Sequence, residues 1–145
     1  MTFSVEYGSD AFLRWDNDRE EFEVTRDLPV LWKVDGKINT DFTVEVGLFT
    51  DLASIPRWAT AVVPKLGHHL QAAVVHDWTY RRVGHENLLQ EQADLLFLHG
   101  MIMDRVSKFQ RRIMYRSVRL GGYGSWKSKR KEIGEDENNE TIADS

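Results

Sequence analysis

The stretch Ala72-Ala73-Val74-Val75-His76-Asp77-Trp78-Thr79-Tyr80 is an apolar helical run with an ionisable pair, His76-Asp77, set inside it. An imidazole and a carboxylate taken out of water must find polar partners, so a chain built around this helix has to deliver them from other elements. A second helical run, Glu91-Gln92-Ala93-Asp94-Leu95-Leu96-Phe97, places another carboxylate in similar surroundings. Within a helix His69, His76 and Tyr80 share a face, and Asp77 is rotated from His76 by about 100°. The loop near Gly84 is short, which makes the two helices antiparallel neighbours and predicts that His76, Asp77 and Asp94 meet in one site. Asp94 would accept the imidazole's far N–H, fix its tautomer and raise its basicity, leaving His76 as a general base. The competing reading is a buried polar network. In it Asp77 pairs with Arg57, Arg81 or Arg82, and His76 bonds Asp94 to fix helix packing.

The first half of the chain has the period of two expected of half-buried strands. Phe22 and Val24 alternate with Glu21, Glu23 and Thr25, and Phe42, Val44 and Val46 with Thr43 and Glu45. Leu28 to Val34 is a further strand, with Val30, Trp32 and Val34 on one face, and Asp35-Gly36 is a hairpin turn dipeptide. Asp16-Asn17-Asp18 marks a similar turn between strands at Phe12–Trp15 and Glu20–Thr25. Three or four antiparallel strands are expected. Pro56 suits the first position of a short helix reaching Val63. Asp51 and Ser54 just before it read as turn and cap residues, with Ser54 alternatively a nucleophile activated by His76. Three main helices follow, at His68–Arg82, Glu86–Met103 and Val106–Leu120. In the third, Val106, Phe109, Ile113 and Leu120 mark an apolar face beside a basic stripe of Arg105, Lys108, Arg112, Arg116 and Arg119. His69 is expected partly exposed, and Trp15, Trp32, Trp58 and Trp78 in the core or at an interface.

The 145 residues thus read as a single α+β domain over 1–126, an N-terminal antiparallel sheet packed on three helices, with a disordered basic-then-acidic tail over 127–145. The absence of cysteine removes disulfides and thiolate chemistry. No signal peptide and no membrane-length apolar run is visible, so a cytoplasmic, soluble protein is expected. The net charge of −4 divides into −7 over residues 1–100, +9 over 101–131 and −6 over 132–145. A basic segment between two acidic ones can be satisfied within its own chain, which disfavours nucleic acid as a partner.

Two resemblances extend this reading. His76-Asp77-x-x-Tyr80, with Ala93-Asp94-x-x-Phe97 and Met101 on a second helix, resembles the active-site helix pair of phospholipase A2 over about residues 72–103. That resemblance implies His76 as the base for a water, Asp77 as a calcium ligand, Tyr80 as a supporting hydroxyl and Asp94 as the orienting carboxylate. The chain lacks that family's Gly-rich calcium loop and its flanking cysteines. A wider pattern covers about residues 42–126. It comprises Thr50-Asp51-Leu52-Ala53-Ser54-Ile55-Pro56-Arg57, then Ala72 to Tyr80, Ala93-Asp94-x-x-Phe97, Met101 and Tyr115-x-x-Val118-Arg119-x-x-Gly122. It is similar to a family of small phage and prophage proteins of unknown function, which implies a location in the host cytoplasm or the virion.

The expectation is therefore a phage-encoded hydrolase-like protein acting on an ester or phosphoester. His76, Asp94 and Tyr80 would be catalytic, Asp77 and Asp51 would offer oxygens to calcium or magnesium, and Ser54 and Arg57 would form the rim. The alternative is a non-enzymatic phage protein, a virion or tail-assembly component or a host-factor inhibitor, in which the His-Asp centre is structural.

Overall fold

A computed structural model describes residues 1–50, 67–81 and 88–121. Six strands precede the helices: β1 (Phe3–Tyr7), β2 (Leu13–Asp16), β3 (Glu21–Val24), β4 (Leu28–Val34), β5 (Lys37–Val44) and β6 (Phe49–Thr50). They form two antiparallel three-stranded sheets, in the orders β1-β4-β5 and β2-β3-β6. The helices are α1 (Leu70–Arg81), α2 (Gln90–Met103) and α3 (108–121). The chain is thus α+β, as its pattern predicts, with the strands divided between two sheets rather than laid in one. The expected short helix at Pro56–Val63, Trp58 and the segment 127–145 lie outside the described residues.

Both predicted turns are built from local chemistry. Asp35 and Gly36 have φ of 52° and 79°, the paired positive values that let a two-residue turn follow the strand twist between β4 and β5. Between β2 and β3, the Asp16 carboxylate accepts the N–H groups of Asp18 and Arg19 at 3.0 and 2.9 Å. Alternation along β4 buries Leu28, Val30 and Trp32 and exposes Pro29. Together with Val5, Val24 and Val44 they form the sheet side of one core.

Nine consecutive residues of α1, Ala72 to Tyr80, are buried, so over that span the helix has no solvent face. Ala72 meets Gly100, His76 meets Asp94 and Phe97, and Tyr80 meets Gln90 and Asp94, so α1 and α2 run antiparallel. The close approach at Ala72 depends on Gly100, where an added Cβ would lie 3.2 Å from the alanine Cβ and 3.0 Å from the Tyr7 hydroxyl. His69 is buried at 1% rather than partly exposed, because it leads directly into this enclosed helix. On the sheet side of α2, the Trp32 indole N–H donates to His99 Nδ1 at 3.1 Å and Phe3 stacks on the same imidazole at 3.8 Å. Burial holds the His99 imidazole below its ordinary pKa, in keeping with a neutral ring that accepts at Nδ1.

The third helix is turned differently from the expected stripe. Val106, just ahead of it, is buried with Met114 and Val118, while Phe109 and Leu120 are 63% and 87% exposed. Met114, Tyr115, Val118 and Arg119 lie on one side of the helix, and Arg119 is held inward by Asp94, so the Phe109–Leu120 edge must face solvent.

Candidate His-Asp site between three helices

His76 comes from the middle of α1 and Asp94 from the first turns of α2, and both are enclosed, with 5% and 0% exposure. His76 Nε2 lies 2.8 Å from Asp94 Oδ1. The Tyr80 hydroxyl, one turn further along α1, donates to the same oxygen at 2.7 Å. The other oxygen, Oδ2, accepts from Arg119 Nη1 of α3 at 2.8 Å. Burial alone would push the Asp94 carboxyl up, but the bonds from His76, Tyr80 and Arg119 outweigh it and hold the group below its ordinary value. Asp94 is therefore an anion at neutral pH and can only accept, so His76 Nε2 carries the proton of the bond between them.

The surrounding contacts fix the ring rather than the charge. Tyr80 and Phe97 flank the imidazole at centroid distances of 4.3 and 4.7 Å. Gln90 reaches the Tyr80 hydroxyl at 3.4 Å, and Thr79 donates to the His76 carbonyl at 2.6 Å. Burial, followed by the bond to Asp94, raises the Tyr80 hydroxyl well above the usual tyrosine range, so it stays a donor throughout the neutral range.

Asp77 points elsewhere. Its Oδ1 is 2.9 Å from Arg81 Nε one turn along α1, one of the three arginines the sequence offered it, and Arg81 Nη1 also donates to the Phe49 carbonyl at 3.1 Å. This links the end of α1 to β6. A calcium or magnesium ion at Asp77 would have to displace that guanidinium and gather several further oxygens. Among the described residues no three His, Asp or Glu side chains converge to hold a metal. Asp51, Ser54 and Arg57 lie outside the described residues.

Of the expected site residues, His76, Tyr80 and Asp94 come together as the helix spacing predicts. Arg119 was expected only as part of a basic stripe, and its place on Asp94 is the part that sequence reasoning missed. The available signal was slight: at 100° per residue Arg119 falls about 40° from Tyr115, between the two apolar sides of the helix. A cleft of about 350 Å³ lined by Asp10, Ala11, His68, Gln71 and Asp104 lies at the opposite end of the helix pair and contains none of the His76 cluster.

No curated protein and no solved structure matches the chain. A family model described as "Protein of unknown function (DUF1353)" matches residues 23–118 and takes in His76, Asp77, Tyr80 and Asp94, ending one residue before Arg119. With that match covering more than half of its length, the chain belongs to the DUF1353 family.

Proposed function

We propose that this protein is a small hydrolase in which His76 is the general base, oriented by Asp94, and that it acts on an ester or phosphoester. The observation that carries the reading is the three-donor hold on Asp94 by His76, Tyr80 and Arg119. It keeps the carboxylate ionised with His76 Nε2–H directed at it, so that Nδ1 is the atom that would take a proton from a water or from a hydroxyl such as that of Ser54. As the proton arrives on Nδ1, the imidazolium that forms is stabilised by the anion beside it. The deprotonated oxygen then attacks the carbonyl or phosphoryl centre, and the leaving alkoxide takes the proton back from His76; where the attacking oxygen is a serine's, a water deprotonated by His76 then cleaves the covalent intermediate and restores the hydroxyl. No step is routed through a cation. Phage or prophage origin is part of this proposal and is supported by the motif pattern of residues 42–126 alone.

The test is hydrolysis of p-nitrophenyl butyrate and bis(p-nitrophenyl) phosphate by the purified chain, with His76→Gln and Tyr80→Phe compared for turnover and thermal stability. His76→Gln is expected to lose about 10² to 10⁴ in turnover with the fold retained, in line with the removal of a general base. Equal rates for the wild-type chain and His76→Gln, or no turnover of either substrate class, would reject the proposal.

One observation favours a second reading, a non-enzymatic phage component whose His-Asp centre is structural. A single carboxylate with no solvent exposure ties α1, α2 and α3 together, which is what a packing lock does. On that reading His76→Gln lowers the melting temperature sharply and there is no activity to lose.

A further inference from the structure

The outward side of α3 carries charge and apolar surface that nothing in the described fold uses. Lys108, Arg112 and Arg116 are exposed, as is Arg105 in the turn before the helix. None of these four forms an ion pair or side-chain hydrogen bond among the described residues, and no Asp or Glu occurs between Arg105 and Lys131. Alongside them, Phe109 and Leu120 stand 63% and 87% exposed. Eleven residues separate these two, so they lie on one edge of the helix about 16 Å apart, with Arg112 and Arg116 beside the line joining them.

We infer that this face docks the protein on an anionic lipid surface, the cations against phosphate headgroups and the Phe109–Leu120 edge in the acyl boundary. The juxtaposition decides between partners. A protein partner is held by a contiguous apolar centre depleted of charge, whereas here the exposed apolar residues, Phe109 and Leu120, stand far apart beside guanidinium groups, and Ile113 between them is half-buried against the core. A nucleic-acid backbone would satisfy the cations but leave Phe109 and Leu120 in water. A bilayer takes both kinds of side chain at once and touches only this face.

The experiment is co-flotation of the full chain with vesicles of phosphatidylcholine alone or mixed with phosphatidylglycerol. The chain is expected on the mixed vesicles, to be released by high salt, and to be absent from pure phosphatidylcholine. Arg112→Gln with Arg116→Gln should weaken partitioning by about tenfold or more. Phe109→Ser with Leu120→Ser should do so by a similar factor. Both pairs are exposed, so circular dichroism and melting temperature should stay at wild-type values. Failure to float with anionic vesicles, or flotation unchanged by either pair, overturns the inference. So does tight binding of duplex DNA that survives Phe109→Ser and Leu120→Ser, which would reassign the face to nucleic acid.

Discussion

Asp94 has both of its oxygens engaged by three donors from two helices, so its removal and the removal of any one donor should differ in size. Asp94→Asn takes away the charge and turns an amide N–H₂ toward at least one donor, and a loss of roughly 3 to 5 kcal/mol is expected in urea unfolding. Arg119→Gln should lose about 1 to 3 kcal/mol, because that side chain is 32% exposed and leaves Asp94 with His76 and Tyr80. Asp104 behaves oppositely. Burial raises its carboxyl to about 6, against lowering by the Tyr7 hydroxyl and by His68, which otherwise face it, and its Oδ2 is buried without a partner. A folded pKa above the unfolded value means that the folded state binds the extra proton. Stability from this group is therefore full below about pH 3.8 and declines as pH rises through about 6. Asp104→Asn should remove that decline and raise the melting temperature at pH 8, as read by calorimetry across pH 4 to 8. The His76–Asp94 bond was legible in the sequence, because helix periodicity and a short loop leave few alternatives. The Trp32–His99 bond was not, since it joins positions 67 apart on elements whose contact no local pattern specifies.

At the scale of elements, the antiparallel fit of α1 on α2 rests on the absence of a side chain at Gly100. Gly100→Val would push into Ala72 and the Tyr7 hydroxyl, and overpacking of this kind should destabilise by about 1 to 3 kcal/mol, seen as a lowered denaturation midpoint. Strands β2 to β5 were legible because apolar residues alternate between clear turn signals. β1 shows the same alternation in Phe3, Val5 and Tyr7 but is missing from the expected strands, since its partner is β4 and the whole β2–β3 hairpin intervenes. The orientation of α3 was ambiguous for a different reason. It carries two apolar stripes, Phe109–Ile113–Leu120 and Met114–Val118, and the choice between them is tertiary: Met114 and Val118 join the core while Arg119 reaches Asp94. Enclosure of α1 on every side was foreshadowed by its composition, whereas the burial of His69 just before it was not.

For the whole molecule, the two sheets and three helices share one core, and the strands that complete the sheets are not those nearest in sequence. β4 is the middle strand of its sheet, with β1 on one side and β5 on the other, and β3 is the middle strand of the second. The family match begins at residue 23, after β1 and β2 and within β3. A gene fragment cut to the matched span would therefore keep His76, Tyr80 and Asp94, lose Arg119, and be the wrong piece to express. It would strip a flank from each sheet, remove Phe3 from His99, and leave the backbone of β4 open along one side. A fragment of residues 23–121 should elute as aggregate in size-exclusion chromatography where the full chain gives a defined peak. On that expectation, the span matched by the family model is smaller than the span that folds as a unit.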